Sequence, residues 1–263
     1  MLSYYIVYFF IYSFIGYVYE CIAMMLWSGK WESRGFLFGP IIPIYGFGAF
    51  IGLILFGGAF KQYSPLAVFL TGFFGSILLE YPTSVILEKA FHAVWWDYSI
   101  APFNINGRVS LFSSIGFGIG GLIIVYLLNP IICPWLKGLN PILLEVISYI
   151  LIALVSIDTA TTIAVLSDFE DRVDSLDKFI NEHVDTAVET INPKRRNIKN
   201  AIIYTKENVI DNVVEKYIDN KNRLYYSVIS RVKSFKDSSS SRAQTLKSKI
   251  KERIDTLRDK DER

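Results

Sequence analysis

The sequence predicts an all-α, polytopic membrane protein. It has about five transmembrane helices, followed by a C-terminal tail of amphipathic, coiled-coil-like helices. Three observations carry this. The 263 residues are 52% hydrophobic and 15% aromatic, with a mean hydropathy of +0.34, more apolar than soluble domains tolerate. Five segments have the roughly twenty apolar residues that cross a hydrocarbon core. Charge is unevenly spread: residues 1–166 hold six Lys/Arg and seven Asp/Glu, whereas residues 167–263 hold twenty-one and eighteen. The chain therefore divides into a membrane body, 1–166, and a charged tail, 167–263.

The first predicted span is 3–27. It lacks a basic n-region and is too long for a signal peptide's apolar core, so it reads as retained. The second, 41–60, begins after Pro40 and Pro43, with Tyr45 in the run Pro43-Ile-Tyr-Gly-Phe-Gly48. Irregular backbone at that depth requires protein or water around it. The third is 66–87. The fourth, 109–136, carries Gly116, Gly118, Gly120 and Gly121, and close helix packing through Gly116-x-x-x-Gly120 is expected. Asn129-Pro130 and Pro134 should kink or end it. The fifth is 142–165. In the tail, Val173, Leu176, Ile180, Val184 and Val188 recur at helical spacing, with breaks expected near 192–193 and 237–244.

Five crossings place the termini on opposite sides. Loops 28–40 and 88–108 carry Lys30, Arg34, Lys89 and Arg108, against Lys61 and Lys137 on the other face. The positive-inside rule then puts the N-terminus outside and the tail in the cytoplasm. Cys21 and Cys133 fall at opposite faces, too far apart for a disulfide. With only His92 and His183, no metal site and no cofactor are expected. Acids interleave with the tail's bases, so nucleic acid is not an expected partner.

Ionisable groups inside a span are costly and mark function or buried pairing. Glu20, Glu80 and Asp158 fall at a similar depth in the cytoplasmic half. Asp158 reads as structural, and Glu20 and Glu80 stand evenly between structure and function. The connector at 92–108 is unusually rich in Trp96, Asp97, Tyr98, Asn104, Asn106 and Arg108. It reads as the floor of a polar site opening to the cytoplasm, with Arg108 and Asp97 as partners for the acids and for Arg34. Candidate binding residues are therefore Glu20, Arg34, Tyr45, Glu80, Glu88, Trp96, Asp97, Tyr98, Asn104, Asn106 and Arg108. No catalytic residue is assigned, because no nucleophile–base set stands out.

Several motifs carry a family resemblance. Glu20 is followed by Gly29-Lys-Trp-Glu-Ser-Arg-Gly-Phe-Leu-Phe-Gly-Pro40 and Pro43-Ile-Tyr-Gly46. Glu80-Tyr-Pro-Thr-Ser84, Leu87-Glu88, Trp95-Trp-Asp-Tyr-Ser99 and Phe103-Asn-Ile-Asn-Gly-Arg108 continue it. Over about residues 5–130 the chain resembles the ABC-transporter type IV family of bacterial membrane proteins, also designated ABC transporter permeases. The resemblance implies a permease of the bacterial cell membrane working with a separate ATPase subunit. The chain has no Walker A pattern of its own. Five spans are few for a complete permease, so a second copy or another partner is expected. The leading expectation is a permease-type subunit whose site takes a small polar or cationic solute. Its rivals are an anchor or regulator acting through the tail, and a membrane-embedded enzyme holding a lipid headgroup phosphate through Arg34 and Arg108.

Overall fold

A computed structural model describes residues 2–29, 31, 33–56, 63–190, 228–235 and 248. Six α-helices account for most of it. They are α1 (Leu2–Ser28), α2 (Pro43–Phe56), α3 (Pro65–Phe91), α4 (Leu111–Ile123), α5 (Asn129–Gly138) and α6 (Pro141–Thr190). A π-helical turn, Ile124–Leu128, joins α4 to α5. Four stretches are long and apolar enough to cross a membrane: Leu2–Leu26, Pro65–Phe91, Leu111–Gly138 and Pro141–Phe169. The chain is thus a multi-pass helical membrane protein. The second predicted span is realised as a shorter apolar helix of 14 residues, with 57–62 outside the described residues.

Two compact units divide the chain: residues 1–90 with 94–162, and residues 91–93 with 163–263. The first has its polar groups inside and its large apolar groups outside. Ser13, Ser76, Glu80, Ser84, Ser114, Asn129, Ser148 and Thr162 are buried, while Phe14, Ile54, Phe74, Leu78, Leu127, Tyr149 and Leu154 are exposed. Water would penalise that arrangement. Hydrocarbon favours it, because lipid tails cover apolar side chains and offer polar ones nothing. In the second unit Leu166, Phe169, Val228, Ile229 and Val232 are buried, and the rings of Phe169 and Phe235 stack at 5.2 Å. Helix α6 continues through the predicted amphipathic stretch to Thr190. The predicted breaks near 192–193 and 237–244 lie outside the described residues, as does most of the tail in which a coiled coil was expected.

Helix α2 lies antiparallel to α1. Phe50 packs on Tyr5 at 5.9 Å and Phe47 on Phe9 at 5.0 Å. The Ile42 amide donates to the Ser13 carbonyl at 3.0 Å. Close approach is enforced by glycine: a Cβ on Gly46 would lie 2.7 Å from the Phe9 carbonyl oxygen, and one on Gly16 would lie 2.3 Å from the Tyr45 ring. So α2 starts beside Ser13, about 22 Å along the axis from the end of α1 at Ser28. The residues between return alongside α1 without helix, with Ser33 reaching the Tyr17 hydroxyl at 3.1 Å.

Span four was expected to kink or end at Asn129-Pro130 and Pro134; it instead runs on to Gly138, with a π-helical turn just before Asn129 and Pro134 inside α5. Proline lacks the donor for an ordinary ladder, and the Asn129 amide instead bonds Ile124 across the π turn. The buried Asn129 side chain accepts from Tyr8 at 2.8 Å and Tyr12 at 2.6 Å, which ties α5 to α1. The glycine expectation needs correction. Cβ atoms on Gly116 and Gly120 would meet nothing within 4 Å, because these residues point away from the bundle. The close face is Gly118, where an added Cβ would lie 2.6 Å from the Phe69 ring, with Gly72 opposite, where one would lie 2.7 Å from the Phe117 carbonyl oxygen. The two cysteines are free and buried.

The connector adds structure that an all-helical reading omits. Asn104–Ile105 and Val109–Ser110 pair as an antiparallel hairpin. Its turn is built from Asn106 (φ 52°) and Gly107 (φ 69°). The Asn-Gly dipeptide, which tolerates left-handed backbone, is the signal for such a turn.

Candidate functional site

Glu20 and Glu80 enter from α1 and α3, and each meets hydroxyl groups. The Tyr45 hydroxyl, from the start of α2, donates to Glu20 Oε1 at 2.5 Å. Glu80, 5% exposed, accepts from the Tyr98 hydroxyl at 3.3 Å and from the Ser113 hydroxyl at 3.1 Å. Ser113 sits in the first turn of α4, inside a reciprocal capping box with Ser110. Its single proton is contested, since the Ser110 carbonyl lies 2.9 Å away. Among the described residues, no cation pairs with Glu80.

Tyr98 bonds Glu80 and lies within the electrostatic reach of Glu20. Burial pushes its hydroxyl well above the ordinary tyrosine range, and the charges of Glu80 and then Glu20 push it further, while the Arg34 guanidinium opposes them. The phenol therefore remains a donor. One neutral donor thus sits in the field of both carboxylates and of Arg34. Tyr45 completes the wall, stacked on Phe117 at 5.4 Å and edge-on to Tyr19 at 6.2 Å.

The other sequence candidates are placed differently. Arg108 was expected to meet Glu20 or Glu80. Instead it pairs with Glu88 at 2.6 Å, donates to Ser84 at 3.0 Å and lies over the Tyr81 ring. The Trp96 indole donates to the Arg108 carbonyl at 2.9 Å. Asp97 accepts from the backbone and hydroxyl of Ser99. Asn104 donates to the Ala101 carbonyl and accepts from the Gly107 amide, and Asn106 donates to the Tyr81 hydroxyl. These six residues fold the connector and fasten it to α3. The result delivers Tyr98, whose amide donates to the Gly107 carbonyl at 2.8 Å.

Sequence reasoning missed Ser113, Ser110 and Ser84. The Ser-x-x-Ser spacing before an apolar run was the available sign, since it is a helix-start pattern. Asp158 is also better defined by the structure. Its two oxygens accept from the Phe38 amide at 2.9 Å and the Gly39 amide at 2.8 Å, and Thr162 adds a hydroxyl at 3.2 Å.

A bundle that hides carboxylates and hydroxyls, and shows apolar side chains outward, is built for a membrane. The comparison with known families agrees. A family model described as Putative ABC-transporter type IV matches residues 7–163, more than half of the chain, and the chain belongs to that family. No curated protein and no solved structure matches it.

Proposed function

We propose that the protein is a permease-type subunit with a cytoplasm-facing site for a small cation, built on Glu20 and Glu80 and bounded by Tyr45, Tyr98 and Ser113. One observation carries the reading. Glu80 is buried with hydroxyl partners alone, while the nearby arginine, Arg108, is committed to Glu88. A buried carboxylate needs a countercharge. Here a bound cation supplies it.

Residues 29–56 then count as a fifth crossing, half irregular and half helical. An odd count sets the termini on opposite faces, and the positive-inside bias of the loops favours the N-terminus outside and the tail in the cytoplasm, where a separate ATPase subunit would dock. A second copy of the chain supplies the remaining spans. Irregular backbone within a membrane is tolerated where protein or a cavity satisfies it, and broken helices of this kind line transporter binding sites.

The test is equilibrium binding of rubidium-86 and radiolabelled tetramethylammonium to the full chain in lipid nanodiscs, which needs no ATPase. Glu80→Gln should weaken binding about 10- to 150-fold, as expected for losing one charged contact of roughly 1.5–3 kcal/mol. Binding unchanged in both Glu80→Gln and Glu20→Gln would sink the assignment.

A further inference from the structure

The segment 38–45 enters the membrane body as non-helical backbone, 38–42, followed by the first turn of α2. Its amides find partners elsewhere. Phe38 and Gly39 donate to the two oxygens of Asp158. Ile41 donates to the Gly39 carbonyl at 2.8 Å, and Ile42 to the Ser13 carbonyl at 3.0 Å. At the far end the side chain of Tyr45 reaches Glu20. Each end of the segment therefore rests on a membrane carboxylate, one from α6 and one from α1.

The two attachments differ in strength. Asp158 receives two backbone amides and a threonine hydroxyl, so releasing it would strand two donors in a medium without water. There is no slack, since a Cβ on Gly39 would lie 2.8 Å from Asp158 Oδ2. Glu20 receives one phenol. A phenol can rotate to another acceptor, and Tyr45 has room to do so only by leaving its seat over Gly16. Glu20 also belongs to the proposed cation site, where a cation competes with the phenol for the same oxygen.

We propose that residues 38–45 form a gate over the Glu20/Glu80 site, hinged at Asp158 and latched by Tyr45 on Glu20. A cation that takes Glu20 frees Tyr45, and the start of α2 moves off α1 while Phe38 and Gly39 stay fixed. Asp158 is a positioning residue in this scheme and Tyr45 is the moving part. The trigger rests on the cation reading; the hinge and latch do not.

Hydrogen–deuterium exchange on the full chain in lipid nanodiscs tests this without a known solute. Tyr45→Phe keeps the ring and removes the latch. It should speed exchange at least threefold for the amides of Ile41 to Tyr45, excluding Pro43, and leave those of Phe38 and Gly39 slow. Asp158→Asn should instead release Phe38 and Gly39, because a carboxamide offers one acceptor oxygen where two are used. Rubidium chloride should loosen the wild-type latch end and do nothing further to Tyr45→Phe. Should Tyr45→Phe fail to fold, Glu20→Leu removes the acceptor and must loosen the same amides. Wild-type exchange over 41–45 in the folded latch variant overturns the gate, even if rubidium binds. Loosening in Tyr45→Phe, with no rubidium effect on the wild type, upholds the latch and removes the cation reading alone.

Discussion

Tyr98 is the residue on which the site turns, because it is held by the connector and reports on the acids above it. Its ordinary value is 10.0, and burial, Glu80 and Glu20 all raise it in the folded chain. The folded protein therefore keeps a proton that the unfolded chain releases above pH 10. The sign follows from linkage: Tyr98's contribution is intact below pH 10 and falls as pH rises beyond it. Thermal unfolding in micelles should lose stability more steeply above pH 10 in the wild type than in Tyr98→Phe; matching slopes would contradict this placement. Arg108 fastens the connector that carries Tyr98 to α3. Its pair with Glu88 is mostly covered, at 16% and 21% side-chain exposure, so truncating one partner leaves a charge poorly solvated. Arg108→Met should cost about 2–3 kcal/mol in equilibrium unfolding, below the range for fully buried pairs because some water remains. A change under about 0.5 kcal/mol would place the pair among ordinary surface ion pairs.

At the scale of elements, the helices meet through glycine and through hydroxyls, as expected where hydrophobic association between spans is absent. Helix α1 shows this in one stripe. Tyr4, Tyr8, Tyr12, Gly16 and Glu20 recur every fourth residue, in a row that winds slowly round the helix and so meets more than one neighbour. Tyr8 and Tyr12 hold Asn129, Gly16 seats the Tyr45 ring and Glu20 accepts its hydroxyl. Between α3 and α4, Ser76 donates to Ser114 at 3.0 Å beside the Gly72 and Gly118 contact. Two substitutions separate the packed glycines from the open ones. Gly118→Ala meets the Phe69 ring and should cost about 1–3 kcal/mol as overpacking. Gly116→Ala meets open space and should be neutral or stabilising by a few tenths of a kcal/mol, since alanine is the better helix former. Equal effects in an unfolding measurement would undo the assigned face. The sequence could not choose between them, because both glycines fit a small-residue spacing and only the rotation of α4 decides which is covered.

The molecule as a whole joins an apolar body to a long charged extension through a single continuous helix, α6, which runs from Pro141 to Thr190. If the membrane body holds the cation site, a chain ending at Thr190 should bind rubidium within about twofold of the full protein, while ATPase subunits co-purified with the full chain are lost. A truncated chain that folds yet binds no rubidium would move the tail into the site. The sequence by itself determined the helical membrane class, the family, four of the crossing segments and the irregular helix at Asn129-Pro130. Those follow from hydropathy, proline chemistry and the cost of charge in lipid, all of which act locally along the chain. Only the tertiary structure decided that Arg108 serves Glu88 rather than Glu80, that Asp158 caps the amides of Phe38 and Gly39, and that Tyr45 rather than Asp97 meets Glu20. A charged side chain takes whichever partner the packing of distant helices brings within about 3 Å, and that distance is set by helix rotation and close approach, which no local pattern encodes.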